Sequence, residues 1–177
     1  LSMITSAFLH SGWAHLIGNM LILFFFARKL EDVVGPLKFG MLYLACVFVS
    51  GLGSVVAEMA LPATQGMIPS LGASGAVMGI VAAYLFLYPH QRIRTLPLLG
   101  IIPIPFLPRI PAWVFILYTI AKDIVGGLLE QELQAYGYTT FVGWFAHLGG
   151  VIAGLTCLYL YLPAEILHYR RQVGEDV

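Results

Sequence analysis

Apolar residues in this chain gather in long runs, each close to the ~20 residues needed to cross a ~30 Å hydrocarbon layer, and the polar residues collect between them. Hydropathy over windows of about 19 residues predicts helices at Trp13–Leu30, Pro36–Leu61, Ser74–Tyr88, Pro111–Glu130 and Gly143–Leu162. The expected fold class is therefore all-α, a polytopic membrane helical bundle with five visible spans. Pro36 and Pro111 suit a first helical turn, where a missing N–H costs nothing, and Pro163 ends the last span. Between the third and fourth spans, His90–Ile110 carries Pro97, Pro103, Pro105 and Pro108. Such a segment cannot sustain a helix. It reads as a loop, apolar enough to lie along the membrane surface.

Composition narrows the class further. The 177 residues are 59% hydrophobic and 10% charged, against about 25% charged in soluble domains, which excludes a soluble globular protein and a disordered one. Nine Lys plus Arg balance nine Asp plus Glu, so no surplus basic surface is available for nucleic acid. Cys46 and Cys157 sit inside apolar runs, where a thiol behaves as a small hydrophobe. Residue 1 is Leu with no charged segment before it, so no signal peptide is visible and the chain is expected to lack its natural start.

The basic residues orient the spans. Arg28, Lys29, Lys38, Arg92, Arg94, Arg109, Arg170 and Arg171 fall in one alternate set of segments, while 1–12, 62–73 and 131–142 hold no Lys or Arg. By the positive-inside rule the basic set faces the cytoplasm, as does a tail over 164–177 in which Arg170 and Arg171 lie near anionic lipid. A membrane domain over 1–163 precedes that tail. The expected location is the plasma membrane of a prokaryote.

Polar side chains at membrane depth are expensive and so mark function. His10, His15, Asn19, Ser74 and His147 all fall toward the non-cytoplasmic side, with His15 and Asn19 one turn apart on one helical face. The third span, 15 residues, is about 22 Å long at ~1.5 Å per residue, which places Ser74 below the outer surface. Its sequence context is Gly72-Ala73-Ser74-Gly75. A serine at a helix N-terminus has unpaired N–H groups beside it that can hold an oxyanion, but a hydroxyl needs a base. His147 is the candidate. Gly75 and Gly79 share the helix of Ser74, and Gly150 and Gly154 follow His147 on its own face; such small-xxx-small stripes let two membrane helices meet backbone to backbone.

A carboxylate to orient His147 would complete a triad. The last span holds none beside it, and Glu130 and Glu132 belong to the preceding loop region, so the reading is a Ser-His dyad. Lys122 and Asp123 lie midway along the fourth span, positioned to pair with neighbours, snorkel or line an aqueous opening; sequence neighbours do not face one another on a helix. Together with Gly126 and Gly127 they are expected to weaken that span's packing and let it gate substrate access, the alternative being that the two glycines merely permit close contact with a neighbour. Glu58 reads as interfacial. A metal site is disfavoured, because no His-Glu-x-x-His pattern exists and no carboxylate joins the outer histidines.

The runs Phe8-Leu9-His10 to His15 and Asn19-Met20, Gly72-Ala73-Ser74-Gly75-Ala76, and Ala146-His147-Leu148-Gly149-Gly150 with Gly154 resemble the signature of rhomboid intramembrane serine proteases. The resemblance implies a six-helix core, of which the first helix is missing here, and a Ser74–His147 dyad. It implies an oxyanion site at His15 and Asn19, which we extend to Gly72, with His10, Met78, Gly150 and Gly154 substrate-proximal or structural. Many members carry a tyrosine at the position of Met78, packed on the catalytic histidine. The expected function is hydrolysis of peptide bonds in or near transmembrane segments, with the lipid bilayer and single-pass membrane proteins as partners. No cofactor, metal or nucleic acid is implied. The alternative is a non-catalytic relative that binds transmembrane segments.

Overall fold

The computed structural model describes residues 2–10, 12–60, 72–89, 91–94, 109–136 and 143–161, together with residues 164 and 168. A short helix α1 (Ser2–Thr5) and a single 3₁₀ turn (Ser6–Phe8) precede α2 (Trp13–Val34), α3 (Pro36–Ala60), α4 (Ser74–Leu87), α5 (Ala112–Ala135) and α6 (Trp144–Tyr161). The last five match the predicted spans. Among the described residues, Pro36–Ala57 and Ala112–Leu129 are each long and apolar enough to cross a membrane.

Two of the ends differ from expectation. Helix α2 continues past Leu30 until Gly35, whose φ of +82° belongs to the left-handed region and whose N–H donates to the Glu31 carbonyl at 2.7 Å. Pro36 then starts α3. Helix α5 runs on to Ala135, so the backbone of Glu130 and Glu132 is helical rather than part of a loop. Pro111 stands just before α5, not in its first turn.

The segment expected as a plain loop contributes two strands. β1 (Arg92–Arg94) pairs antiparallel with β2 (Arg109–Pro111), with Arg92 opposite Pro111, Ile93 opposite Ile110 and Arg94 opposite Arg109. Pro111 sits at the end of an edge strand, where a missing N–H is tolerated, while the expectation that Pro97, Pro103, Pro105 and Pro108 prevent a helix falls outside the described residues. Residues 95–108 and nearly all of the expected tail 164–177 lie outside the described residues.

Helix α4 is the centre of the bundle. All but three of its 14 residues are buried, as expected of a helix that is apolar all round, and α2, α3, α5 and α6 each contact it. The outer helices turn large apolar side chains outward, including Phe24, Leu37, Phe48, Trp113, Leu117, Ile152 and Leu160. In water such a surface would be a severe liability; in lipid it is the solvated face. At 14 residues, α4 is about 21 Å long, short of the hydrocarbon thickness. Its C-terminal end lies at the basic side, where the Lys29 ammonium sits 5.9 Å from the Tyr88 ring centroid.

Small residues bring α4 and α6 into backbone contact. A Cβ on Gly79 would stand 2.5 Å from the Gly150 carbonyl oxygen. A Cβ on Gly150 or Gly154 would overlap the carbonyl of Gly75 or Gly79. Helix α3 joins in the same way: a Cβ on Gly149 would lie 2.7 Å from the Val49 carbonyl oxygen, and one on Gly53 would lie 2.6 Å from that of Phe145. Gly126 and Gly127 of α5 have a related use. Their Cβ positions abut the Trp144 ring at 2.8 Å and the Phe145 ring at 3.3 Å, so these glycines dock α5 on α6 rather than loosening it.

Candidate active site

Ser74 is the first residue of α4 and His147 the fourth of α6. The contacts Gly75–Gly150 and Gly79–Gly154 fix the two helices so closely that both N-terminal ends meet. As a result the Ser74 Oγ lies 3.0 Å from the His147 Nε2. The His147 N–H donates to the Gly143 carbonyl at 3.0 Å, so the imidazole is carried at the N-terminal end of α6.

On the other side of Ser74 stands the start of α2. Gly72 has φ of +109°, and a Cβ there would be 2.7 Å from His15 Cε1 and 3.5 Å from Asn19 Nδ2. Only glycine lets this backbone lie against both side chains. The Gly72 N–H is already used, donating to the Ser6 carbonyl at 2.9 Å, so Gly72 supplies proximity and not a free donor. Asn19 is 5% exposed, and its Nδ2 has no acceptor among the described residues. A buried donor left unmatched is costly and suits a group whose acceptor arrives with a substrate. His10 stacks edge-on against His15, with ring centroids 5.2 Å apart, and its Nε2 is likewise buried without a partner among the described residues.

His147 has a second neighbour that sequence reasoning did not assign. Asp123 of α5, 1% exposed, places Oδ2 3.2 Å from the His147 Nδ1. The ring N–H is poorly aligned with that oxygen, yet neither atom has another partner among the described residues. The other oxygen, Oδ1, accepts from the Lys122 Nζ at 2.6 Å. The expectations that no acid stands beside His147 and that Lys122 and Asp123 cannot meet are both corrected. The acid comes from another helix, and a four-carbon lysine stem is long enough to fold back to its neighbour. Lys122 also lies 4.6 Å from the Trp144 ring centroid. Met78 follows Ser74 by one turn, but the aromatic contact to the imidazole comes from Trp144, edge-on at 6.4 Å.

A signal for Asp123 was present in the sequence. It is the acid lying midway along an otherwise apolar span, and an ionisable group at that depth is a functional candidate with a partner to be named. Gly126 and Gly127, three and four residues on, share its helical face, and that face meets α6.

Comparison with known proteins agrees with the motifs. The Rhomboid domain family model matches residues 1–164. Rhomboid protein 1, mitochondrial, of Saccharomyces cerevisiae is 34% identical over 173 residues, covering 97% of this chain and 44% of the yeast protein. The human presenilin-associated rhomboid-like protein, mitochondrial, is 31% identical over 155 residues, 86% of this chain and 36% of the relative. RHOMBOID-like protein 6, mitochondrial, of Arabidopsis thaliana is 30% identical over 162 residues, 90% of this chain and 43% of the relative. The chain thus spans less than half the length of these relatives. No solved structure matches it. The mitochondrial relatives overturn the expectation of a prokaryotic plasma membrane. The reason is physical, since a charge asymmetry distinguishes the two sides of a membrane and not one membrane from another. On the match over nearly its whole length, this chain belongs to the rhomboid family.

Proposed function

We propose that the chain is an intramembrane serine protease of a mitochondrial membrane, acting on single-pass membrane proteins. The observation that carries this reading is the 3.0 Å contact between Ser74 Oγ and His147 Nε2 at the recessed end of α4. In the reaction, Oγ attacks the scissile carbonyl carbon while Nε2 takes the hydroxyl proton. The carbonyl π bond opens to an oxyanion held by Asn19, His15 and the Ser74 N–H, which as a first-turn group has no acceptor within its helix. Collapse breaks the C–N bond, and the proton passes from Nε2 to the leaving amine. Water then repeats the sequence on the acyl-serine and frees the enzyme. Substrate segments must unwind at Gly, Pro or small polar residues, because a helix hides its carbonyls in its own hydrogen bonds.

Reconstitution in lipid vesicles with a reporter protein carrying one Gly/Pro-containing transmembrane helix tests this reading. Cleavage within or beside that helix, mapped by mass spectrometry, is expected. Binding of the reporter without cleavage would instead favour a non-catalytic role. Asn19→Ala is expected to lower the cleavage rate by about 10²–10³ and leave it measurable, the usual cost of one oxyanion donor. An unchanged rate would remove Asn19 from the mechanism.

A further inference from the structure

We infer that Asp123 is a positioning residue for His147: its carboxylate takes the Nδ1–H, so that three helices, α4, α5 and α6, assemble a Ser74–His147–Asp123 series. The inference rests on the serine-protease reading and adds a member to it. Four observations converge. Asp123 is buried to 1% exposure midway along a largely apolar span, a place where an ionised carboxylate survives only when paired. Lys122 satisfies one of its oxygens at 2.6 Å. The second oxygen faces His147 Nδ1 at 3.2 Å. The opposite ring nitrogen faces Ser74 at 3.0 Å, so one imidazole spans the gap between a hydroxyl and a carboxylate.

The chemistry of imidazole gives this arrangement a use. A neutral ring carries one proton on either nitrogen. With a carboxylate at Nδ1, the proton resides there, and the Nε2 lone pair is left for the Ser74 hydroxyl. Without that acceptor the Nε2–H form is populated, which donates to Ser74 and cannot serve as base. When Nε2 gains the serine proton, the carboxylate remains ionised and offsets the imidazolium charge.

The groups facing His147 set the sign of the pH effect. Asp123 and Lys122 face it from α5, Ser74 from α4, and His15, with His10 behind it, from the α2 side. Lys122 is 39% exposed at its side chain, so its charge is partly screened. Removing the Asp123 charge takes away the anion that offsets the imidazolium and leaves Lys122 unbalanced, so the protonated ring formed during catalysis is disfavoured. Removing the Lys122 charge does the opposite.

The test is the rate at which a fluorophosphonate probe modifies Ser74 in detergent, followed from about pH 5 to 9, the range in which imidazole titrates. Asp123→Asn should slow the plateau rate by about 10²–10⁴ and move the acid-side midpoint downward. Lys122→Met should keep the plateau within a few-fold and move the midpoint upward. A merely structural role would lower both plateaus, or thermal stability, without moving the midpoints in opposite directions. If Asp123→Asn labels within about 3-fold of the parent with the same midpoint, the inference fails while the protease reading stands. If the parent protein does not label at all, the protease reading fails, and ¹⁵N NMR of the His147 ring still decides the role of Asp123. The expected neutral form carries its proton on Nδ1 in the parent protein, an assignment that needs no variant to fold. A proton on Nε2 would overturn the inference.

Discussion

Ser74→Ala and His147→Ala will each reduce cleavage of a transmembrane substrate to background, a loss of up to about 10⁶-fold, and the double variant will be no worse than either single one. Non-additivity is the informative part. Groups that act as one unit forfeit nearly the whole effect when either is removed, and the 3.0 Å Oγ–Nε2 contact makes Ser74 and His147 such a unit. Independent losses that multiply in the double variant would mean that His147 contributes something other than proton transfer to and from Ser74. Neither substitution touches the α4–α6 glycine contacts, so helicity and thermal midpoint should stay near the parent values.

Gly150→Ala is expected to damage both stability and activity for a different reason. The added methyl would overlap the Gly75 carbonyl, and backbone of a central helix cannot step aside as a flexible side chain can. Overpacking a tight core costs about 1–3 kcal/mol; with a main-chain obstacle we expect the upper end, a fall in thermal midpoint of roughly 6–12 °C for a chain of this size. Function should fall further than stability. Pushing α6 away by about 1 Å stretches the serine–imidazole contact, and misplacement on that scale costs on the order of 10² in rate. Gly40→Ala is the matched control, since nothing lies within 4 Å of its Cβ position. There the better helix former should add roughly 0.5–1 kcal/mol. Equal effects at both glycines would show that the α4–α6 approach is looser than described.

Hydropathy was enough to find the five long helices, because each is apolar over most of its length, the outer ones to meet lipid and α4 to be buried among them. The ends were less legible. Charges at Arg28, Lys29, Glu31 and Asp32 close the apolar run of α2, while the helix itself continues to the left-handed Gly35. Strands of three residues beside a proline-rich stretch carry no periodic signal, so β1 and β2 could be seen only once paired. At the site, Ser74, His147, His15, Asn19 and Gly72 were legible as motifs, and the glycine stripes told how α4 and α6 approach. Asp123 was visible as a buried charge but was judged against neighbours in sequence. Its partner lies 24 residues on in a different helix, and only the packing of Gly126 against Trp144 turns it there. The same packing favours close contact with a neighbour over weakened packing as the role of Gly126 and Gly127.

Covalent labelling measures whether Ser74 is an activated nucleophile without any knowledge of the substrate. The purified chain in detergent micelles is incubated with a fluorophosphonate probe, whose phosphorus is attacked by Oγ with loss of fluoride, and the adduct is located by peptide mass spectrometry. A single adduct is expected on the peptide containing Ser74, none in Ser74→Ala, and labelling reduced to background in His147→Ala. A folded parent protein that stays unlabelled, or a Ser74→Ala variant that labels as well as the parent, would contradict it.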